Sequence, residues 1–226
     1  MVIKAKDLWI PVTFKERRPL LLEQFFYLPS HFSGYEKYPL PSLSSLFGKE
    51  APVAIEYCSG NGEWIIEKAK AHPEYNWIAV EKRIDRVRKI WARGKNANLK
   101  NLLTVFGEAK TFTEHYLTES SISRVYINFP DPWPKNRHSK HRLVQKPFAL
   151  LLKRVLEPLG EAIFVTDDPD YSQQMVHAML KESGWKSATP PPYYLNEWKN
   201  FGMSYFLDLW QKKNLSIHYH RFINFK

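Results

Sequence analysis

The stretch Asn128-Phe129-Pro130-Asp131-Pro132-Trp133-Pro134-Lys135 sets one carboxylate and one indole among three prolines. Proline fixes φ and cannot donate to a ladder, so this segment is predicted to be a rigid loop. An acid held rigidly beside a flat ring suits recognition of a nucleobase: the ring stacks and the acid meets a polar edge. The competing reading is a structural proline turn with Trp133 buried. Lys135, Arg137, Lys140, Arg142 and Lys146 follow, with His138 and His141 and no acid among them. That composition predicts a phosphate-binding patch rather than a solvated charge run. The two histidines have no thiolate or carboxylate at ligand spacing, so no metal is expected.

A second group of polar residues surrounds Glu56-Tyr57-Cys58-Ser59-Gly60-Asn61-Gly62. Glycines at such a turn let the backbone come close to a ligand. A dinucleotide fingerprint would carry a third glycine and a pyrophosphate on the helix N-terminus. Here the third glycine is missing and a carboxylate precedes the turn. A carboxylate repels a pyrophosphate and attracts a cation. S-adenosylmethionine carries an ammonium and a sulfonium and no phosphate, so it fits this turn better than NAD does. Glu81 follows Gly62 by 19 residues, close to the ~20 expected of an acid that binds ribose hydroxyls. Glu108, next to Ala109, is placed to face the adenine.

These residues need a scaffold that brings them to one edge. Val53–Glu56, Trp77–Val80, Leu102–Phe106, Arg124–Phe129 and Ala162–Thr166 are apolar runs of strand length, and helical periodicity separates them. Alternation of this kind predicts an α/β fold with a mostly parallel sheet and helices on both faces. Ligands of such sheets lie beyond the carboxyl ends of the strands. Glu56, Glu81, Glu108, Asp131 and Asp167 fall there. Asp168 is a predicted N-cap for a helix from Pro169 to Glu182. Met203–Leu209 and Leu215–Phe222 look like the two arms of a C-terminal hairpin. Residues 1–50, with Pro11, Pro19, Pro29, Pro39 and Pro41 and many aromatics such as Phe14, show no clear period. They are expected to form an extension with one or two short helices that packs on a domain spanning 51–226.

Composition sets the outer bounds. The chain has 226 residues, 44% hydrophobic and 15% aromatic, which excludes bulk disorder. Mean hydropathy is −0.45, and no apolar run reaches the ~18–20 residues of a membrane span. One cysteine, Cys58, excludes an intrachain disulfide framework and suits a reducing compartment. The first residues carry no signal-peptide pattern, so a cytoplasmic protein is expected. A formal charge of +10 points to a polyanionic partner.

Phe129-Pro130-Asp131-Pro132-Trp133-Pro134-Lys135-Asn136-Arg137-His138, with Lys140 and Arg142 beyond, resembles the F-P-D-P-W-P-K-x-R-H-x-K-x-R signature of the tRNA (guanine-N7-)-methyltransferases, the bacterial TrmB family. The resemblance covers roughly residues 50 to 210. The family's E-x-G-x-G-x-G matches Glu56, Gly60 and Gly62, with Cys58 where its first glycine stands. Its Thr-Asp after the fifth strand falls on Thr166-Asp167. Its late T-x-x-E falls on Tyr194-Leu195-Asn196-Glu197, keeping the glutamate and not the threonine. The resemblance implies a Rossmann-like S-adenosylmethionine-dependent methyltransferase that modifies a guanine in the variable loop of tRNA. It implies a cofactor site of Glu56, Gly60, Gly62, Glu81, Glu108 and Asp131, with Asp131 also catalytic. Lys135, Asp167, Tyr194 and Glu197 would meet the target nucleotide. Arg137, His138, Ser139, Lys140, His141 and Arg142 would meet the RNA. Monomer and homodimer are both left open.

Guanine N7 has a lone pair and no proton. Its methylation needs alignment rather than deprotonation. Asp131 is therefore expected to orient the base and stabilise the positive charge that develops on it. Three other readings compete. An amino-methyltransferase acting on adenine N6 or cytosine N4 would need two consecutive prolines where Trp133 intervenes. A non-catalytic RNA-binding subunit would not need Glu56 and Glu81. An NAD-dependent dehydrogenase would need the third glycine.

Overall fold

The computed structural model describes residues 2–10 and 17–226; Pro11 and Phe14 of the N-terminal segment lie outside them. The chain divides into two compact units, Met1–Leu117 and Thr118–Lys226.

The first unit holds β1 (Leu20–Leu22), β2 (Phe25–Tyr27), α1 (Leu43–Phe47), β3 (Val53–Tyr57), α2 (Glu63–Ala71), β4 (Asn76–Glu81), α3 (Ile84–Asn96), β5 (Leu102–Phe106) and α4 (Ala109–Tyr116). Its strands lie in the order β1-β2-β5-β4-β3. β3, β4 and β5 run parallel, with Ile55 opposite Ile78 and Ile78 opposite Leu103. All three residues are fully buried, as expected of strands covered on both faces. The N-terminal segment does more than pack on this sheet. Residues 20–27 form an antiparallel pair whose second strand adds parallel to β5, Phe25 facing Thr104. Phe25 also meets Trp91 of α3 at 4.8 Å, in a cluster with Ile10 and Val87. Burying one such ring stabilises the fold by about 1.5–3 kcal/mol. That burial outweighs the aperiodic sequence, which offered too few residues per strand for alternation to show.

The second unit holds β6 (Ile122–Asn128), α5 (Lys146–Val155), β7 (Leu156–Thr166), α6 (Pro169–Leu180), β8 (Trp185–Ser187), α7 (Tyr205–Lys212) and β9 (His218–Asn224). Strand order is β6-β7-β9-β8. β6 and β7 are parallel; β9 is antiparallel to both β7 and β8. β7 begins earlier than Ala162. Leu156 already pairs with Ile122, the next pair is Arg124 with Glu161, and Pro158-Leu159-Gly160 bulges between them. Asp168 caps α6 as expected, its carboxylate accepting from the Tyr171 amide at 2.6 Å.

The C-terminal hairpin is a correction. Met203–Leu209 is not a strand; residues 205–212 form α7, and β9 lies between β7 and β8. Ser204 caps the helix by accepting from the Leu207 amide at 3.1 Å. Phe206 and Trp210 stack one turn apart, and Lys212 pairs with Asp208 at 2.7 Å. Those i,i+4 contacts and the cap outweigh the β-propensity of a run rich in aromatics.

Candidate functional site

In the first unit the chain turns sharply from β3 into α2. Cys58, Gly60 and Gly62 all have positive φ, at 59°, 56° and 83°. A Cβ on Gly62 would sit 2.8 Å from Ile90 Cγ1, so α2 can approach α3 only with glycine there. Cys58, which the motif resemblance sets against the first glycine, takes the left-handed conformation that glycine adopts without penalty. The Ser59 hydroxyl closes the turn by donating to the Glu56 carbonyl at 2.8 Å.

Glu81, the last residue of β4, is 4% exposed. Its Oε2 accepts from the Gly60 amide at 3.0 Å. Its Oε1 accepts from the amides of Lys82 and Arg83 at 2.8 and 2.9 Å. The Arg86 guanidinium lies 3.8 Å away. Hydrogen bonds to a charged acceptor contribute about 1.5–3 kcal/mol each, so this carboxylate organises the glycine turn as well as marking the strand end. Spacing from Gly62 singled out the residue; nothing in the sequence revealed that its first partner is the turn itself. Glu56, inside β3, is 2% exposed. Glu108 is exposed and occupies the N-cap position of α4. The neighbouring Gly107 amide donates to the Glu81 carbonyl at 3.1 Å.

Several cations at and along α3 have partners within this unit. Arg83 pairs with Asp85 at 3.1 Å, Arg93 with Glu63 at 2.8 Å and Lys95 with Glu23 at 2.7 Å. Lys89 donates to Asn61 Oδ1 at 3.1 Å.

In the second unit the loop after β6 carries Asp131. The Phe129 amide donates to the Val165 carbonyl at 2.8 Å, and Phe129 and Trp133 both take positive φ, at 48° and 46°. Such backbone in non-glycine residues costs of order 1–3 kcal/mol and persists only where surrounding contacts over-determine it. Pro130 is buried and Asp131 is exposed. Trp133 is half-buried, its ring 5.2 Å from His141 and 6.0 Å from His138. The indole thus packs on the basic segment that follows it.

Arg142 departs from the surface role expected of it. It is 6% exposed. Its Nε donates to the Pro132 carbonyl at 2.6 Å and its Nη1 to Gln174 Oε1 at 2.8 Å. Nη2 lies 3.9 Å from Asp168, and the guanidinium sits over the Tyr171 ring at 4.9 Å. Its donors are spent fixing the Asp131 loop to α6. The regular spacing of the basic run concealed that one member turns inward. Gln145 assists, donating from Nε2 to the carbonyls of Lys140 and Arg142 at 2.8 and 2.7 Å. Those bonds close the short 3-10 helix Asn136–His141. Lys135, Arg137, Lys140 and His141 are exposed, His138 and Ser139 half-buried. Lys146 pairs with Glu182 at 2.9 Å.

Asp167, at the end of β7, is half-buried. Burial pushes its carboxyl above the usual range, and a backbone hydrogen bond partly opposes that. Tyr194 stacks flat on His218, centroids 3.8 Å apart and planes 7° apart. Glu197 is exposed. Leu195 between them exchanges two backbone hydrogen bonds with Tyr219, of 2.9 and 2.8 Å. Among the described residues no group of three or more His, Cys, Asp or Glu could hold a metal ion, and no helix is long and apolar enough to cross a membrane.

Residues 50–218 match a family model described as "Putative methyltransferase". Over 215 residues the chain is 45% identical to a tRNA (guanine-N(7)-)-methyltransferase of Chlamydia muridarum, covering 95% of each. It is 43% identical to that of Chlamydia trachomatis, with 98% of each covered. A more distant relative of the same description, from Nitrosomonas eutropha, is 37% identical over 69% of each chain. Among solved structures, the 16S rRNA methyltransferase KamB superposes with a TM-score of 0.58 at 16% identity, covering 87% of this chain and 96% of that one. A SAM-dependent methyltransferase from Aquifex aeolicus gives 0.53 at 16% identity, covering 84% and 96%. These likenesses give the fold: Rossmann-like α/β with a mostly parallel sheet. With its glycine turn, its proline-locked acid and relatives matched along nearly their whole length, the chain belongs to the tRNA (guanine-N(7)-)-methyltransferase family.

Proposed function

We propose that the protein methylates N7 of a guanine in the variable loop of tRNA, with S-adenosylmethionine as donor and the cytoplasm as its place of action. The observation that carries this reading is the Asp131 loop, presented to solvent in a strained conformation that Arg142 maintains, in a chain 45% identical along 95% of its length to an enzyme named for that reaction. The donor set at the glycine turn fits the cofactor: carboxylates at Glu56 and Glu81 suit a cation and oppose a pyrophosphate. Bound there, S-adenosylmethionine supplies an electrophilic methyl on sulfur.

Glu56, Gly60, Gly62, Glu81 and Glu108 would hold the cofactor, with Asp131. Glu81 already accepts three amide hydrogen bonds, two at Oε1 and one at Oε2; Oε2 keeps one lone-pair site for a ribose hydroxyl. Asp131 aligns the guanine ring and stabilises the charge that develops on its imidazole portion. N7 carries no proton, so the residue need not act as a base. Lys135, Asp167 and Glu197 contact the target nucleotide. Arg137, His138, Ser139, Lys140 and His141 meet RNA phosphates. Arg142 holds the loop instead, and Tyr194 contributes its stacked ring rather than the hydroxyl of the family's threonine.

Incubation with labelled S-adenosylmethionine and bulk tRNA, followed by digestion to nucleosides, tests the reading. Label is expected in 7-methylguanosine, only in tRNAs with a guanine in the variable loop, and is lost with Asp131→Asn. Label in N6-methyladenosine or N4-methylcytidine would establish the amino-methyltransferase alternative. Tight RNA binding with no label would establish the non-catalytic one.

A further inference from the structure

Behind the Tyr194–Glu197 segment lies a buried chain of polar side chains. Ser172 of α6 is 2% exposed, His218 of β9 9% and His220 of β9 0%. His218 Nδ1 is 2.8 Å from Ser172 Oγ. The same oxygen is 2.9 Å from His220 Nε2, and His220 Nδ1 is 2.9 Å from the Tyr193 carbonyl. A carbonyl can only accept, so His220 carries its proton on Nδ1. In the neutral ring Nε2 is then an acceptor, filled by the Ser172 hydroxyl. Ser172 Oγ is left to accept from His218 Nδ1–H. One polarity therefore satisfies every bond: His218 donates to Ser172, Ser172 to His220, and His220 to Tyr193. Burial supports the neutral ring, holding His220 down at about 4.

Tyr193 has a φ of 71°. It leads directly into the stacked Tyr194, the bridged Leu195 and Asn196, whose Nδ2 donates to Ser216 Oγ at 2.8 Å. We propose that the His218–Ser172–His220 chain is a positioning device that orients the Tyr193–Asn196 strap and thereby aims Glu197 at the target nucleotide. His218 and His220 serve because alternate residues of β9 present one face to the strap. The inference rests on the reading that Glu197 contacts that nucleotide.

Four variants test it: Glu197→Gln, Ser172→Ala, His220→Leu and His220→Asn, the last keeping a donor for the Tyr193 carbonyl. Steady-state tRNA methylation is measured with S-adenosylmethionine affinity alongside, and imidazole nitrogen shifts report the tautomers. Both rings are expected as Nδ1–H forms. Ser172→Ala and His220→Leu are expected to lower kcat/KM for tRNA by about tenfold or more, with cofactor affinity changed less than about twofold, within the scatter of independent sites. His220→Asn is expected to recover most of the loss relative to His220→Leu. An Nε2–H tautomer at His220, a parallel loss of cofactor affinity, or equal defects in the Leu and Asn variants would overturn the proposal. Full activity of Glu197→Gln would instead overturn the assigned role of Glu197. A crippled Glu197→Gln beside unaffected Ser172 and His220 variants would leave that role standing and remove the positioning one.

Discussion

The two acids that matter most to the proposed chemistry are held in opposite ways. Glu81 in the first unit is buried and its oxygens take three backbone amides. Asp131 in the second unit is exposed, on a loop whose strain is borne elsewhere, by Arg142. At Glu81, the proposed cofactor contact and the fold share one carboxylate, and no substitution separates them cleanly. At Asp131 the proposed catalytic group and the supporting group are different residues. The difference teaches where a mutation reports on chemistry and where it reports on the scaffold.

Asp131→Asn should show the largest effect: single-turnover methyl transfer falls about 10²–10³-fold, the range for removing one preorganised electrostatic group. Thermal stability should not change, since the carboxylate is exposed. Glu81→Gln should instead lower cofactor affinity and melting temperature together; loss of affinity alone would break the comparison. Arg142→Met should come next, destabilising the protein by about 3 kcal/mol in denaturant titration, because the Pro132 carbonyl and Gln174 lose a buried partner. Arg142→Lys should not restore it, as an ammonium cannot reproduce the fork. The salt dependence of tRNA binding sharpens the point. Arg137→Ala with Lys140→Ala should make the slope of log K against log salt shallower by about 0.7–0.9 for each lost contact. Arg142→Met should leave that slope alone.

The buried histidines give a pH signature confined to the second unit. Burial lowers His220 to about 4 in the folded protein, from the ordinary 6.5, and lowers His218 in the same direction. The unfolded chain therefore takes up the proton first as pH falls. Stability from neutral His220 is fully present above about pH 6.5 and is lost toward pH 4, with about 2 kcal/mol gone by pH 5. Urea titrations at pH 7 and pH 5 should show the loss, and His220→Asn should reduce it. An undiminished loss in that variant would assign the acid sensitivity to other groups. The smallest effect belongs to the first unit. Cys58→Gly should stabilise by about 0.5–1 kcal/mol, because a left-handed backbone suits glycine. A destabilised variant would show that the thiol's packing outweighs that relief.

Much of this was legible in the chain. The parallel core of the first unit follows from apolar runs of strand length, and Asp168 follows from the cap-and-proline pattern. The acids near the strand ends follow from spacing, because a βα turn of set length puts the same position at the same edge. The proline-locked loop follows from covalent geometry. These are local consequences of residue type and period. What tertiary structure decided is which partner each polar group found. Arg142 and Arg137 look alike in sequence, yet one is spent inside on Pro132 and Gln174 and the other is exposed. Residues 205–212 coil into a helix because Ser204 caps them and Phe206 meets Trp210, while β8 takes the place beside β9. Ser172 meets two histidines 46 and 48 residues away. Hydrogen bonds at that separation leave no periodic trace; they exist only once burial has removed the competing water.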